Sequence, residues 1–267
     1  MSLAFWRKAA RAAAMFALAF LVVGSFAPTV HADEQRVSRL GLALSIMPTS
    51  LALGDVNDEI NRLNAVTGSL GQPFNAQAPI GKLTWDGLWE AEFKYFYNRK
   101  IAIVGGIGQI KRQSKLELQP VATGTTIVSG SVRSVPIHLG ADYYFEPRTS
   151  GDFTLRPFVG AGYVRIADTK ASFGYELARP DSLLRDFTTA YGKGHGFYTE
   201  AGIHMMFPSR YSILFNVNYR NAHVRQMNNY ETGAIVLTPT GEGLETDLSG
   251  FGLRFAVQIG LFGKPAE

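Results

Sequence analysis

Eleven ionisable side chains carry the chemical question this chain poses: Glu90, Glu92, Lys94, Arg112, Asp142, Arg156, Glu200, Arg220 and Arg254, with His138 and His204 beside them. All fall on the polar face of segments in which apolar and polar residues alternate. Carboxylates at i and i+2, such as Glu90 and Glu92, are the material of general acid–base catalysis, but here Lys and Arg bracket them. Two readings of the set are open. One is a mutually neutralising ion-pair network, since an unpaired buried charge costs several kcal/mol. The other is a gate or proton-responsive site with His138 and His204 as its titrating members. A hydrolase would need a serine and a histidine within hydrogen-bond reach. The polar pairs available, His138 with Ser134 and His204 with Glu200, lie on the same polar face, and no Asn-Ser-His grouping occurs on the apolar one. No catalytic residue is assigned and the chain is not expected to be an enzyme. Asp55, Asn57 and Glu59 match a fragment of a calcium loop without its glycine or distal glutamate. There is no cysteine, so thiolate metal sites and disulfides are excluded. No metal or cofactor is expected.

The elements that must position these residues are strands. Alternation places them near 38–46, 85–97, 100–116, 125–145, 153–169, 193–207, 210–226 and 247–262. Three connections are tight: Asn98 to Lys100, Glu146 to Asp152, and Pro208 to Arg210. The other four, 47–84, 117–124, 170–192 and 227–246, are longer, and short and long connections alternate along the chain. That asymmetry, with an even strand count, is the habit of transmembrane barrels. The first long connection holds a short amphipathic helix near 55–67: Asp55 suits the N-cap, and Val56, Ile60, Leu63 and Val66 share one face. That face packs on the barrel mouth or serves as a lid.

Which face looks outward follows from residue size and aromatic placement. The polar face is rich in Gly41, Ala43, Gly106, Gly108, Gly140, Gly160, Gly162, Gly202, Gly252 and Gly260. A face bathed in water would use Lys, Glu and Thr, whereas the crowded interior of a small barrel needs small residues beside long ones. On the apolar face, Tyr95, Tyr97, Tyr143, Phe145, Phe153, Phe207 and Tyr211 flank the short turns, while Trp85, Trp89, Tyr163, Phe197, Tyr219 and Phe251 lie toward the long loops. Two belts of amphipathic rings are what two membrane–water interfaces select. The expected architecture is an all-β, eight-stranded antiparallel up-and-down transmembrane β-barrel, with short periplasmic turns, long outer loops and one short helix in the first long loop.

The first residues agree with export. Arg7, Lys8 and Arg11 precede an apolar run from Ala12 to Phe26, and Val30-His31-Ala32 supplies small residues before a cut. Residues 1–32 are expected to be a cleaved signal peptide and 33–267 the barrel domain. Removing the prefix takes three basic residues and no acid, so the net charge falls from +4 to near +1. The basic balance is thus no warrant for a nucleic-acid partner.

Several stretches resemble the small outer-membrane β-barrel superfamily that includes OmpA-, OmpX- and OmpW-type proteins: Val135–Phe145, Arg156–Val164, Gly202–Tyr211 and the closing Gly252–Phe262. The resemblance implies a monomer in the outer membrane of a Gram-negative bacterium, surrounded by outer-membrane lipids and inserted by the barrel-assembly machinery. It implies a non-enzymatic role in structure or surface interaction, with a side-chain-filled lumen. The alternative is an OmpW-like narrow conduit or binding pocket for a small apolar solute, lined by residues such as Leu88, Phe96 and Phe158. In either case the outer loops would meet a small apolar ligand or a surface protein. A lipid-modifying enzyme is the third and least supported class.

Overall fold

The computed structural model of the protein describes residues 39–69, 85–118, 125–150, 153–179, 182–238 and 240–262. The expected signal segment lies outside the described residues, as do most of the connection before the second strand and the Trp85 side chain. Alternation becomes strand wherever one set of side chains has somewhere dry to go. In β1 (Leu40–Ser50) every second residue is buried and the intervening ones are exposed. The same pattern continues through β2 (Trp85–Phe96), β3 (Ile101–Leu118) and β4 (Thr125–Tyr144), then β6 (Phe153–Arg179), β7 (Ser182–Met206), β8 (Tyr211–Val224) and β11 (Gly250–Phe262). Each of these eight pairs antiparallel with its neighbours in chain order, and β1 pairs with β11 from Leu40↔Phe262 to Thr49↔Gly252, which closes the sheet. Three short pieces decorate the barrel. β5 (Arg148–Ser150) folds back on the start of β6, β9 (Asn228–Asn229) pairs with β7, and β10 (Thr246–Asp247) with β8.

The turns Asn98–Lys100 and Pro208–Arg210 fall where the sequence puts them, the connection from Glu146 holds β5 in its described part, and two of the three are tied to each other. Asn98 Oδ1 accepts the backbone N–H groups of Lys100 and Ile101, at 2.8 Å each. Lys100 Nζ reaches Glu146 Oε1 at 2.7 Å across to the next short connection. Their hydrogen bond and mutual attraction raise the Lys100 pKa and lower that of Glu146. The pair is fully exposed, so solvent screens it. Any stability it lends is present above the carboxylate's unfolded value and lost as pH falls through the lowered one.

The opposite end departs from the reading of 170–192 as a loop. β6 and β7 run on as strands of 27 and 25 residues, paired from Thr154↔Met206 to Arg179↔Ser182. Roughly 10 residues suffice to cross a bilayer, so the β3–β4 and β6–β7 hairpins rise far above it as a twisted sheet. Lys170, Ser172 and Thr189 have the composition of a loop, yet here they dress one face of a hairpin whose other face carries the buried Ala171, Phe173 and Ala190.

What that buried face covers is the helix α1 (Gly54–Ser69). Leu53 precedes it with φ of 53°, a left-handed conformation that costs a branched residue energy. Its burial, and the hydrogen bond from its N–H to the Asp247 carbonyl at 2.6 Å, hold it there. Asp55, expected as the N-cap, sits instead inside the helix, and its Oδ2 accepts the Glu245 N–H at 2.9 Å, fastening the 225–249 segment to the helix. Asn57 donates to the Ala52 carbonyl at 3.1 Å. Val56, Ile60 and Leu63 enter one apolar cluster with Ile110, Val128, Val132, Val164, Ile166, Phe173, Val224, Met227, Leu244 and Leu248. At Gly130 the chain comes so close that an added Cβ would lie 3.0 Å from Ile60 Cδ1. The helix is therefore packed into the barrel mouth under an apolar roof. An Ile60→Asp substitution should release it: tryptic cleavage at Arg62 speeds up, while the heat-dependent gel shift of the folded barrel is unchanged.

Candidate functional site

The inner space divides into three layers, each set by which residues face inward at that height. At the short-turn end Phe96, Ala102, Tyr144, Phe158, Met206 and Leu214 form an apolar plug with Ala43 and Ala256. Tyr144 stacks on Phe158 with ring centroids 5.3 Å apart and lies 5.2 Å from Phe96. His204 joins this layer, its Nδ1 3.4 Å from the Tyr144 hydroxyl and its Nε2 2.7 Å from Ser212 Oγ. Arg156 lies over the Tyr144 ring at 5.0 Å and donates to the Arg99 carbonyl.

The middle layer is ionic. Lys94 Nζ is fully buried, 2.6 Å from Asp142 Oδ2, 3.1 Å from the Tyr144 hydroxyl and 3.8 Å from Glu92 Oε1. Arg254 reaches Glu92 at 2.9 Å, Glu200 at 3.6 Å and Glu90 at 3.7 Å. His138 is held between two carboxylates, Nδ1 2.8 Å from Glu90 Oε1 and Nε2 3.0 Å from Glu92 Oε2. An ionised carboxylate only accepts, so a ring facing two of them is satisfied by carrying a proton on both nitrogens. Glu200 accepts from the Asn216 side chain, and Arg220 donates to the Leu248 carbonyl at 3.1 Å. With His138 charged, four carboxylates (Glu90, Glu92, Asp142, Glu200) face four cations (Lys94, His138, Arg220, Arg254). Gly140 and Gly162 make room here: a Cβ on Gly162 would lie 2.6 Å from the Tyr198 ring, which packs edge-on to His138 at 5.3 Å.

Above the ionic layer, Leu88, Met47 and Val164 begin the apolar cluster that runs up to α1. The charged network therefore occupies only the middle of the lumen. Sequence alternation identifies inward positions but not height, so it treats the interior as one charged space. Arg112 shows the consequence. It shares the inward parity but is exposed, because β3 by then has risen beyond the ionic layer into the extramembrane sheet. It is not part of the network. The Ser–His pair of the structure, His204 with Ser212, also escaped the sequence reading, since it joins residues of two strands across the Pro208–Arg210 turn. Ser134 bonds to Thr169 at 2.9 Å rather than to His138. Glu200 meets Asn216 and Arg254 rather than His204.

Glu90, Glu92 and His138 also offer oxygen and nitrogen atoms within 4.8 Å of one another, a spacing compatible with a metal ion. As folded, those carboxylates point at Arg254 and Lys94, so the cluster is an ion-pair set. A cavity of about 20 Å3 lies beside it, bordered by Glu90, His138, Tyr198, Glu200, Arg220 and Arg254, the size of one or two waters.

The outer surface has the opposite chemistry. Leu44 is 61% exposed, Leu139 60%, Val257 53% and Phe255 48%. Between the Tyr95, Tyr97, Tyr143 and Tyr211 level and the Trp89, Tyr163 and Phe197 level, these residues form an apolar band. Phe145, Phe153 and Phe207 are half-buried at the short-turn rim. No helix among the described residues is long and apolar enough to cross a membrane. Charges inside, hydrocarbon outside and a sheet without an open edge define a transmembrane β-barrel.

No protein-family model and no curated protein matches the chain. Solved structures similar to it are those of small outer-membrane proteins. Neisserial surface protein A is 13% identical over 84% of this chain and 98% of that one, with a TM-score of 0.40. The outer membrane protein OprG from Pseudomonas aeruginosa is 12% identical over 86% and 100%, with a TM-score of 0.48. Ail, the attachment invasion locus protein of Yersinia pestis, is 9% identical over 83% and 97%, with a TM-score of 0.33. At these values the likeness says nothing of role, and the barrel stands on its own strand pairing.

Breaking one member of a buried ion pair leaves a bare charge and costs about 3–5 kcal/mol, whereas replacing both by apolar groups is often neutral. Lys94→Met and Asp142→Leu should each lower the unfolding free energy of the detergent-folded barrel, read from urea titration, by that order, and the double variant by much less than their sum.

Proposed function

We propose that this protein is a non-conducting integral barrel of a Gram-negative outer membrane, whose working surface is the raised outer sheet rather than the lumen. The observation that carries the reading is the filling of the interior by the described residues. The aromatic plug, the paired ionic layer and the α1 cluster succeed one another along the axis, leaving a middle cavity of about 20 Å3. Among the described residues such a column offers an apolar solute no route. Leu88, Phe96 and Phe158, which would line a conduit, instead pack against neighbours in two separate apolar clusters with the charges between them.

A binding or structural role is favoured over catalysis by position. The His204–Ser212 pair is buried inside the short-turn layer with no carboxylate behind the imidazole, and lipid chains meet only the outer wall. The described parts of the hairpins β3–β4 and β6–β7, together with α1 and the 225–249 segment, make an outer platform. Such a platform suits contact with neighbouring molecules, and its position makes envelope integrity, adhesion or resistance the fields in which it would act.

Planar lipid bilayers test the reading. The refolded protein should add no discrete current steps in about 1 M salt, where charges are screened beyond about 3 Å. Stable unitary conductance from the wild-type protein would reject the closed lumen and restore the conduit.

A further inference from the structure

The outer wall above the apolar band carries a row of like charges that the fold alone does not account for. Lys111 of β3 lies directly opposite Arg133 of β4, Arg133 opposite Lys170 of β6, and Lys170 opposite Tyr191 of β7. All four are exposed, and directly opposed side chains on one face sit about 4.5–5.5 Å apart at Cβ, where like charges destabilise the sheet. Arg165 and Lys193 lie between this row and the membrane, also exposed. Beyond it, Ser131, Ser172 and Thr189 stand in the next register row, a line of hydroxyls. Among the described residues the acids placed on the same wall are Asp168 beside the row and, two to three rows beyond it, Glu176 with Glu117 in its register row, where Lys115 adds a further cation. Lys170 also leans over the Tyr230 ring at 4.8 Å.

Protection of a sheet edge does not explain the row. Lys on an exposed edge strand deters mispairing, which fits Lys111, since β3 beyond Gln109 pairs only with β4 among the described residues. Arg133 and Lys170 sit on strands paired on both sides.

Position identifies the partner. On β3, β4 and β6 the exposed apolar residues below the row end at Ile107, Ile137 and Tyr163, while on β7 the rings of Tyr191 and Phe187 stand at and beyond it. Lys111 and Arg133 lie four residues further, and Arg165 two, which is about 7–13 Å along a strand. At a barrel-strand tilt of about 40° those runs rise about 5–10 Å, so Arg165 lies within the interfacial zone of an ordinary bilayer, about 5–8 Å deep on each side, and Lys111 and Arg133 reach past a glycerophospholipid headgroup into the space of a taller one. Resting on the transmembrane reading above, we propose that the wall formed by Lys111, Arg133, Arg165, Lys170 and Lys193 binds the phosphate-bearing headgroup of a glycolipid of the outer leaflet. The cations take the phosphates, the hydroxyl row takes sugar oxygens, and the acyl chains lie along Ile107, Ile137 and Tyr163.

The test uses the full-length protein in nanodiscs, with a bis-phosphorylated glucosamine lipid, its dephosphorylated form, or phosphatidylcholine alone, and native mass spectrometry to count retained glycolipid. The wild type should retain the phosphorylated lipid over its dephosphorylated form and release it as salt rises. K111Q/R133Q/K170Q should bind roughly a hundredfold more weakly, at about 1 kcal/mol per basic residue near an anionic surface. R210Q, at the opposite rim, should bind as wild type. If the triple variant misfolds, R133Q alone, with an expected loss of about fivefold, decides the matter. Equal retention of the two glycolipids, or no loss in R133Q, would overturn the proposal, as would equal competition by inorganic polyphosphate, which would mark a general polyanion surface. Failure of the wild type to enter nanodiscs at all would instead overturn the transmembrane reading beneath it.

Discussion

Closure of the sheet between β1 and β11 is the constraint from which the rest of this molecule follows. In hydrocarbon an unpaired backbone N–H or C=O has no water to turn to and costs several kcal/mol. An eight-stranded sheet can enter a membrane only if its first and last strands find each other. The Leu40–Phe262 pairing achieves this, and with it each strand acquires an inside narrow enough to be filled by side chains and an outside that meets lipid. Inward charge and outward hydrocarbon are then two consequences of one closure.

A small closed barrel must next fill its interior, and this chain uses a different solution at each height. Near the short turns aromatic rings stack, and Lys94 bridges that plug to the layer above by meeting both the Tyr144 hydroxyl and Asp142. Charges in the middle are matched in number and mostly in direct contact, so burial costs are offset by pairing. Toward the outside the chain has no more small-barrel wall to lean on. It brings in α1, whose apolar face completes a core roofed by the long hairpins and by Met227, Leu244 and Leu248. The positive φ at Leu53 is the local strain accepted at the point where β1 turns over to deliver that helix.

Much of the barrel is legible in the sequence because alternation has a period of two and lipid selects one parity so strongly. Strands such as 85–97 and 135–145 state their inward and outward sets outright, and the glycines of the polar parity betray the crowded side. Height is what alternation does not encode. Arg112 has the parity of Glu90 and Glu92 but stands beyond the ionic layer, and Lys170 to Thr189 read as loop because their polar side faces water instead of lipid. Pairings between strands, such as His138 with both Glu90 and Glu92, depend on register, which residue types alone leave open. The helix is visible from its spacing. That Asp55 fastens the Glu245 backbone instead of capping the helix depends on a segment 190 residues away.

The account rests on odd-numbered residues of the β4 wall facing acyl chains, and this chain, having no cysteine of its own, suits spin labelling. Nitroxides placed one at a time from 135 to 143 in liposome-inserted protein should show collision with dissolved oxygen that rises and falls with a period of two, high at 137, 139, 141 and 143, with a water-soluble nickel reagent excluded from all of these. The reverse pattern, with even positions open to nickel and odd ones shielded from oxygen, would mean that the apolar residues form the core of a water-soluble barrel and that the membrane account is wrong.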